Sequence, residues 1–228
     1  MDVFLREGID VTIGTSPLLA EAVKEAEQRV GRKMHQITTP NFEITPAGPN
    51  YDEFNTHLDE CAGFGATFCW PHSCATDALY DGMAGTIRHM DRIGELTHQR
   101  GMIPGLSTHR PECIVAADQT DLDVASYTCI YNAAGFMMPY EIDWTQKIIW
   151  NASKPVTTIK PMAAGRVMPY VGLPFVWSTL RECDLVSVGT VTPDEAREVI
   201  EISYACFERR IPGVELQTTR SKKTLQSD

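Results

Sequence analysis

Strand and helix patterns alternate along the chain and predict an α/β fold, specifically a TIM-type (β/α) barrel. Short apolar runs typical of buried strands recur roughly every 25 to 35 residues, and helical stretches separate them. We count seven such runs, whereas a closed barrel normally has eight parallel strands. The sequence therefore predicts seven recognisable strands in a barrel that is incomplete at its amino end.

The length and composition of the chain indicate one globular domain. Its 228 residues are 43% hydrophobic and 22% charged, which is enough for one substantial core and too short for two ordinary domains with a linker. We predict a single barrel domain over residues 1–211 and a polar C-terminal tail over residues 212–228.

The first half of the chain contains the first strands and their helices. Residues 2–8 resemble the last turns of a helix that ends at Gly8, because glycine readily adopts the left-handed backbone that follows many helices. The chain thus starts inside a helix that precedes the first recognisable strand. In this half we predict strands over residues 9–14, 34–39 and 66–70, and helices over 18–30, 51–62 and 85–100.

The second half repeats this alternation and ends in a well-marked helix. Thr192, Pro193 and Glu195 form the pattern of a capping box, in which a threonine and a glutamate satisfy the first free N–H groups of a helix. The other predicted elements are strands over residues 102–106, 124–131, 155–160 and 184–188, and helices over 112–117, 141–152 and 171–181.

Charge and cysteine content narrow the class of partner. The net charge is −10, and the only basic cluster is the short segment 220–223, so the electrostatic footprint of a nucleic-acid binder is absent. Seven cysteines at irregular spacing, with no C-x-x-C pair, no signal peptide and no apolar run of membrane-spanning length, favour a cytoplasmic protein without a membrane partner. We predict a small-molecule substrate or ligand.

An incomplete barrel leaves strand edges that proteins normally cover. Either one strand–helix unit is missing at the amino end, or another chain covers the gap. We therefore predict a homo-oligomer or a subunit of a complex.

Several segments, in chain order, resemble the aldo-keto reductase superfamily. Ile103–Glu112 (I-P-G-L-S-T-H-R-P-E) is similar to the family's G-V-S-N-F-x-P-E, Tyr131–Ala133 (Y-N-A) to its Y-N-P, and Ile159–Gly165 (I-K-P-M-A-A-G) to its Y-S-P-L-x-x-G. Residues 184–198 resemble the final strand and the helix that binds the cofactor phosphate, and residues 6–16 the end of the first helix with the second strand. The resemblance implies a TIM barrel that lacks the family's first strand.

The catalytic tetrad of the family is largely missing from this sequence. The family's aspartate falls near Gly14–Ser16, no tyrosine follows before Tyr51, and the third strand ends without a lysine. The family's histidine aligns with Cys69 or with His72, depending on whether the Trp70-Pro71 pair or the strand end is matched.

The nicotinamide site implied by the resemblance is also altered. Ser107 matches the family, but its asparagine is replaced by Thr108, its glutamine by Thr128 and its stacking tyrosine by Ile159. At the phosphate helix the family's lysine, arginine and asparagine are replaced by Gly189, Glu195 and Val199. Because a carboxylate repels a phosphate, we predict no cofactor and expect NADPH to be disfavoured.

Polar residues at the predicted strand ends are the candidate site, since the carboxyl ends of barrel strands converge on one mouth. Lys160, His72 and His109 are the candidate catalytic residues. The candidate substrate-binding residues are Asp77, Arg110, Tyr131, Asn132, Arg166 and Thr190.

Lys160 admits two interpretations. It is either a base or Schiff-base former acting on a carbonyl compound, or an ion-paired lysine that stiffens the barrel mouth. His72 has the alternative role of a loop cap, and the pair His109-Arg110 that of a partner for loop carboxylates such as Glu112.

Three alternatives stay open beside an enzyme that acts on a small carbonyl or hydroxy compound. The first is a divalent metal held by His72, His109 and a carboxylate, Glu43 or Asp77. The second is a non-catalytic ligand-binding or scaffold barrel. The third is an oxidoreductase with an atypical nicotinamide site.

Overall fold

A computed structural model describes residues 1–214, so most of the predicted tail, residues 215–228, lies outside the described residues. None of the helices within residues 1–214 is long and apolar enough to cross a membrane. The α-helices of this part of the chain are α1 (Asp2–Arg6), α2 (Pro17–Val30), α3 (Tyr51–Phe64), α4 (Ser73–Leu79), α5 (Met90–His98), α6 (Glu112–Gln119), α7 (Ile142–Asn151), α8 (Pro169–Thr179) and α9 (Pro193–Glu208).

The strands are short, and most are parallel. They are β1 (Val11–Ile13), β2 (His35–Thr38), β3 (Ile44–Thr45), β4 (Gly48–Pro49), β5 (Phe68–Cys69), β6 (Tyr80–Asp81), β7 (Thr86–Ile87), β8 (Ile103–Pro104), β9 (Leu106–Ser107), β10 (Tyr127–Ile130), β11 (Val156–Ile159) and β12 (Leu185–Val186). Only Gly105 separates β8 from β9. If these two are counted as one strand, the parallel strands of residues 1–214 are the seven that the sequence predicts.

Contacts divide the chain into two compact units. The first comprises Met1–Cys129 and Ala152–Val156, and the second comprises Ile130–Asn151 and, among the described residues, 157–214. The single-domain organisation therefore stays a prediction, and we describe each unit by itself.

A parallel sheet in the order β1-β2-β5-β8 forms the centre of the first unit. Helix α3 packs on one face of this sheet. The contact is seen at two buried thiols, those of Cys69 in β5 and Cys61 in α3. Neighbouring residues of a strand point to opposite faces, so Phe68 and Trp70 lie on the other face. A separate apolar cluster, in which Leu5 of α1 meets Val23 and Ala26 of α2, packs the two first helices together.

The first unit also contains β9 paired with the start of β10, and two small hairpins, β3-β4 and β6-β7. The second hairpin overturns the predicted start of a helix at Gly85. The turn between β6 and β7 uses Gly85 with a left-handed φ of +66°, and Asp81 Oδ1 accepts hydrogen bonds from Met83 N and Ala84 N at 3.1 Å each. The helix begins only at Met90.

In the second unit, β11 pairs in parallel with β12, and helices α8 and α9 pack together. The predicted capping box is present at the start of α9. Thr192 Oγ1 accepts from Glu195 N at 3.2 Å, and Glu195 Oε2 accepts from Thr192 N at 3.3 Å. No hydrogen-bonded ladder among residues 1–214 closes a barrel.

Candidate functional site

His72 lies at the amino end of α4 and serves as its cap. Its Nδ1 accepts a hydrogen bond from Cys74 N at 3.2 Å, and its backbone N–H donates to Pro40 O at 2.9 Å. The capping role suggested by the sequence is therefore what His72 does in this structure. Only the second ring nitrogen of His72, Nε2, is not used in the cap.

Asp77, Thr108 and His109 are brought together at the other end of the same helix. The Thr108 hydroxyl donates to Asp77 Oδ1, and His109 N donates to Asp77 Oδ2 at 3.3 Å. The carboxylate therefore fixes the chain where β9 gives way to the following loop. Arg110 N also donates to Thr108 Oγ1, at 2.9 Å, which tightens that turn.

Arg110 has partners on both sides. Its Nε donates to Glu112 Oε1 at 2.8 Å, and its guanidinium carbon lies 5.1 Å from the centre of the Tyr80 ring. The carboxylate partner that the sequence suggested for Arg110 is thus present. The geometry favours a role for Arg110 in ordering this loop.

Burial governs the acid–base behaviour of this loop. Desolvation raises the pKa of Asp77, although the hydrogen bonds from Thr108 and His109 act in the opposite direction. Burial likewise raises the pKa of Cys113, which lies beneath the loop, to about 12. Cys113 is therefore an unreactive thiol, whereas Asp77 is a carboxyl group that holds its proton more firmly than an exposed aspartate.

Three further polar residues of the first unit point away from the helices that cover their own strands. Thr128 pairs with Ser107 in register, and the preceding Tyr127 directs its hydroxyl to Asp118 of α6 at 2.5 Å. Since side chains alternate along a strand, Ser107 and Thr128 point away from α6, as Trp70 points away from α3. All three are buried.

Two of these buried groups are unsatisfied. Trp70 Nε1 and Thr128 Oγ1 have no hydrogen-bond partner among residues 1–214. Buried polar atoms are nearly always paired in proteins, so these two are exceptions within the described chain. Neither Trp70 nor Thr128 was predicted to bind a ligand; the signal in the sequence was the Trp70-Pro71 pair at a strand end.

In the second unit, Tyr131 and Asn132 serve the structure around them. Tyr131 is buried and its hydroxyl donates to Thr179 Oγ1 of α8 at 3.1 Å. Asn132 is also buried; its Oδ1 accepts from Ala134 N at 3.2 Å and from Phe136 N at 2.9 Å, while its Nδ2 donates to Phe136 O at 3.0 Å. Asn132 therefore shapes the loop after β10.

Lys160 follows β11 and has an unusual backbone. Its φ is +60°, in the left-handed region that bulky residues avoid, and Pro161 follows it directly. The side chain is half-buried, and its ammonium has neither a hydrogen bond nor an ion pair within residues 1–214. The ion-paired alternative for Lys160 finds no partner in the described part of the chain.

The loop after Lys160 is held by close packing. Ala163 and Ala164 also have left-handed φ values, +49° and +54°. A Cβ atom at Gly172 of α8 would lie 2.6 Å from Pro161 O, so the loop rests directly on the helix backbone. Arg166 lies at the end of this loop, and its guanidinium carbon is 4.0 Å from the centre of the Phe136 ring.

The amino end of α9 is already occupied by a carboxylate. Glu195 is buried, and its Oε2 accepts from Val191 N at 2.7 Å as well as from Thr192 N. These N–H groups lie just after Thr190, the predicted binding residue. The helix end that binds a cofactor phosphate in the resembling family is here satisfied by the protein itself.

The metal alternative finds no support in the described residues. Within residues 1–214, no group of three or more His, Cys, Asp or Glu side chains is placed to hold a metal ion, and this includes the set of His72, His109 and Glu43. The Glu43 side chain is exposed in the loop before the β3-β4 hairpin.

Solved structures share this fold at very low sequence identity. A protein from Pseudomonas aeruginosa assigned as an aldo-keto reductase superposes with a TM-score of 0.65 at 11% identity, over 90% of this chain and 81% of that one. The fold is that of a TIM-type α/β barrel, which this chain shares with solved aldo-keto reductases. The predicted TIM-type class and the predicted resemblance are thereby confirmed at the level of the fold.

Two further solved structures share this TIM-type fold. An aldo-keto reductase from Klebsiella pneumoniae, solved with NADPH, gives a TM-score of 0.55 at 13% identity over 98% of this chain and 80% of that one. A phospho-2-dehydro-3-deoxyheptonate aldolase from Thermotoga maritima gives 0.54 at 9% identity over 91% and 63%. No protein-family model and no curated protein matches the chain by sequence. The neighbours establish the fold, and the chemistry rests on the residues of this chain.

Proposed function

We propose that the protein is an enzyme that acts on a small carbonyl or hydroxy compound, with Lys160 as the reacting amine. The observation that carries the proposal is the state of Lys160 at the end of β11: a left-handed backbone before Pro161 and an ammonium group without a partner in the described chain. Strain of this kind costs about 1 to 3 kcal/mol and is concentrated at functional sites. Lysines at barrel strand ends suit this chemistry because the strand ends face the active-site mouth.

The chemistry requires the neutral amine of Lys160. As a Schiff-base former, its Nζ attacks the carbonyl carbon, the carbonyl oxygen takes up protons and leaves as water, and a C=N bond remains. As a base, Nζ removes a proton from the carbon beside the carbonyl group. His72 and His109 are the acid–base or substrate-binding groups in this proposal. The ring nitrogen of His72 that does not cap α4 is free for that purpose.

Borohydride trapping tests the Schiff-base form directly. We would incubate the protein with a panel of small aldehydes and ketones, add borohydride to reduce any imine to a stable secondary amine, and map the added mass by peptide mass spectrometry. The proposal predicts labelling at Lys160, which the Lys160→Arg variant loses. Lys147→Arg is the matched control, because Lys147 is an exposed helix lysine paired with Asp143 at 3.5 Å.

Labelling that spreads equally over surface lysines, or that persists in Lys160→Arg, would remove the Schiff-base form. The base form has its own readout: exchange of the substrate's α-hydrogen into heavy water, which Lys160→Arg should abolish. Failure of both assays over the whole panel would overturn the proposed function.

We also propose that the protein does not bind NADPH as aldo-keto reductases do. Support comes from Glu195, whose carboxylate lies on the N–H groups at the start of α9, where the resembling family neutralises a phosphate. A ligand that binds only the folded state must raise the melting temperature. We expect no rise with NADPH, and a clear rise would favour the third alternative, an oxidoreductase with an atypical site.

A non-catalytic ligand-binding barrel is the second candidate function. One support is that the buried atoms Trp70 Nε1 and Thr128 Oγ1 have no hydrogen-bond partner among residues 1–214. A second is that polar atoms of three predicted site residues form hydrogen bonds within the protein; these residues are His72, Tyr131 and Asn132. A thermal shift with a carbonyl compound that is neither trapped nor turned over would support this candidate.

A further inference from the structure

Strand β1 is an edge strand with one open side. Its three residues pair with β2 in parallel, with Thr12 opposite Gln36, and no described strand pairs with its other side. All three residues of β1 are partly exposed. Natural proteins usually cover or disrupt such an edge, because its free N–H and C=O groups invite another strand.

The hydrogen bonds to β2 identify which groups face the open side. His35 N donates to Asp10 O at 2.6 Å, and Gly14 N donates to Ile37 O at 2.9 Å. In a parallel ladder alternate residues of a strand bond to the same neighbour, so Asp10, Thr12 and Gly14 serve β2. The backbone groups of Val11 and Ile13 therefore point away from β2, toward the open side.

This edge is complementary to itself. If two β1 strands meet antiparallel with Thr12 opposite Thr12 of the second copy, each Val11 lies opposite Ile13 of the other. Val11 and Ile13 then exchange N–H and C=O bonds as a hydrogen-bonded pair. The side-chain pairs are also favourable, since apolar residues meet each other and threonine meets threonine.

Two apolar residues close to β1 in sequence are also exposed. Ile9 is 36% exposed and Leu18, in the first turn of α2, is 77% exposed. In the same antiparallel register Asp10 lies opposite Gly14 of the second copy, so no carboxylate meets a carboxylate along the ladder. The edge thus offers backbone, apolar and charge complementarity to one occupant, a second copy of this chain.

We propose that the protein forms a twofold dimer through antiparallel pairing of two β1 strands, centred on Thr12. Each copy has a net charge of −10, so the copies repel at long range. Salt screens this repulsion, and the dimer strengthens as ionic strength rises. An interface built from surface ion pairs would weaken instead.

The mass in solution and a charge exchange at Thr12 test this proposal. Light scattering at increasing protein concentration should give twice the chain mass of 25.4 kDa. Thr12→Asp and Thr12→Lys each place like charges opposite each other at the centre and should give monomers. An equal mixture of the two variants should recover the dimer, because the charges then attract. Thr56→Asp, which adds the same charge on the exposed surface of α3, is the control and should stay dimeric.

Amide hydrogen exchange provides a readout on the unaltered chain, should the Thr12 variants fail to fold. Exchange at Val11 and Ile13 should slow as protein concentration rises, whereas Thr12, which already bonds to β2, should not change. A monomer at every concentration, a dimer that the Thr12 variants leave intact, or exchange at Val11 and Ile13 that is independent of concentration would each overturn the proposal.

Discussion

The loops after β9 and after β11 are held by different forces. In the first unit, Asp77 accepts hydrogen bonds from Thr108 and His109, and these bonds fix the turn. In the second unit, the loop after Lys160 has left-handed residues and rests on Gly172. A loop held by a half-buried carboxylate should respond to pH, whereas a loop held by packing should respond to changes in side-chain volume. In the second arrangement the ammonium group of Lys160 has neither a hydrogen bond nor an ion pair among residues 1–214.

The largest loss of stability should come from Asn132→Ala, in the loop after β10 of the second unit, which is also held by hydrogen bonds. The change removes three hydrogen bonds, to Ala134 N, Phe136 N and Phe136 O, and each contributes about 0.5 to 1.5 kcal/mol. We expect urea unfolding to show a loss of roughly 3 kcal/mol. Asn151→Ala is the control: its exposed amide bonds Lys147 O at the end of α7, so it should change stability little. Equal effects of the two substitutions would contradict the role of Asn132 in shaping the loop.

Gly172→Ala should have the next largest effect. The added methyl group would lie 2.6 Å from Pro161 O, so either α8 or the loop after Lys160 must move. Overpacking of this kind costs about 1 to 3 kcal/mol. We expect lower stability together with altered reactivity of Lys160 in the trapping assay.

The control for this substitution is Gly63→Ala. Gly63 lies in α3, and a methyl group added there has no atom within 4 Å. Because alanine also favours the helix more than glycine does, the stability should be unchanged or slightly higher. If Gly172→Ala were as harmless as Gly63→Ala, the loop would not be held by packing on α8.

The smallest effect should be the pH dependence contributed by Asp77. Burial raises the pKa of Asp77 in the folded chain above its usual value of 3.8, so folding favours the protonated form. Its contribution is complete below the unfolded pKa and is lost as pH rises through the raised folded pKa. Asp77→Asn does not titrate, so the stability of the natural protein relative to this variant should fall over that pH window.

Thr108→Val sharpens the Asp77 prediction. The hydroxyl of Thr108 stabilises the charged carboxylate, so its removal should raise the pKa of Asp77 further. Carboxyl-carbon NMR titration measures this value directly. An unchanged or lower pKa in Thr108→Val would show that the hydrogen bond does not govern the Asp77 carboxyl group.

Much of the fold was predictable because its signals are local. The helix end at Gly31, the capping box at Thr192 and Glu195, and the count of seven strands all follow from short sequence patterns. The β6-β7 hairpin was not predicted, since the apolar residues after Gly85 also fit a helix. Only the turn at Asp81 and Gly85 decides between the two structures.

The candidate site was less predictable than the fold, because pairing depends on tertiary contacts. His72, Asn132 and Tyr131 were interpreted as site residues from their positions after strands, yet their polar atoms bond nearby groups. The buried, unpaired atoms of Trp70 and Thr128 become visible only when the strands are assembled. The catalytic roles of Lys160, His72 and His109 stay predictions.

The contact between Trp70 and Gly105 has a consequence for the protein's evolution. A Cβ atom at position 105 would lie 2.0 Å from Trp70 Nε1, so the indole occupies the space that any side chain at 105 would need. A larger residue at position 105 therefore requires the Trp70 ring to move or a smaller residue to replace it. Replacement of Trp70 would also remove the indole N–H, one of the buried groups that have no hydrogen-bond partner among residues 1–214.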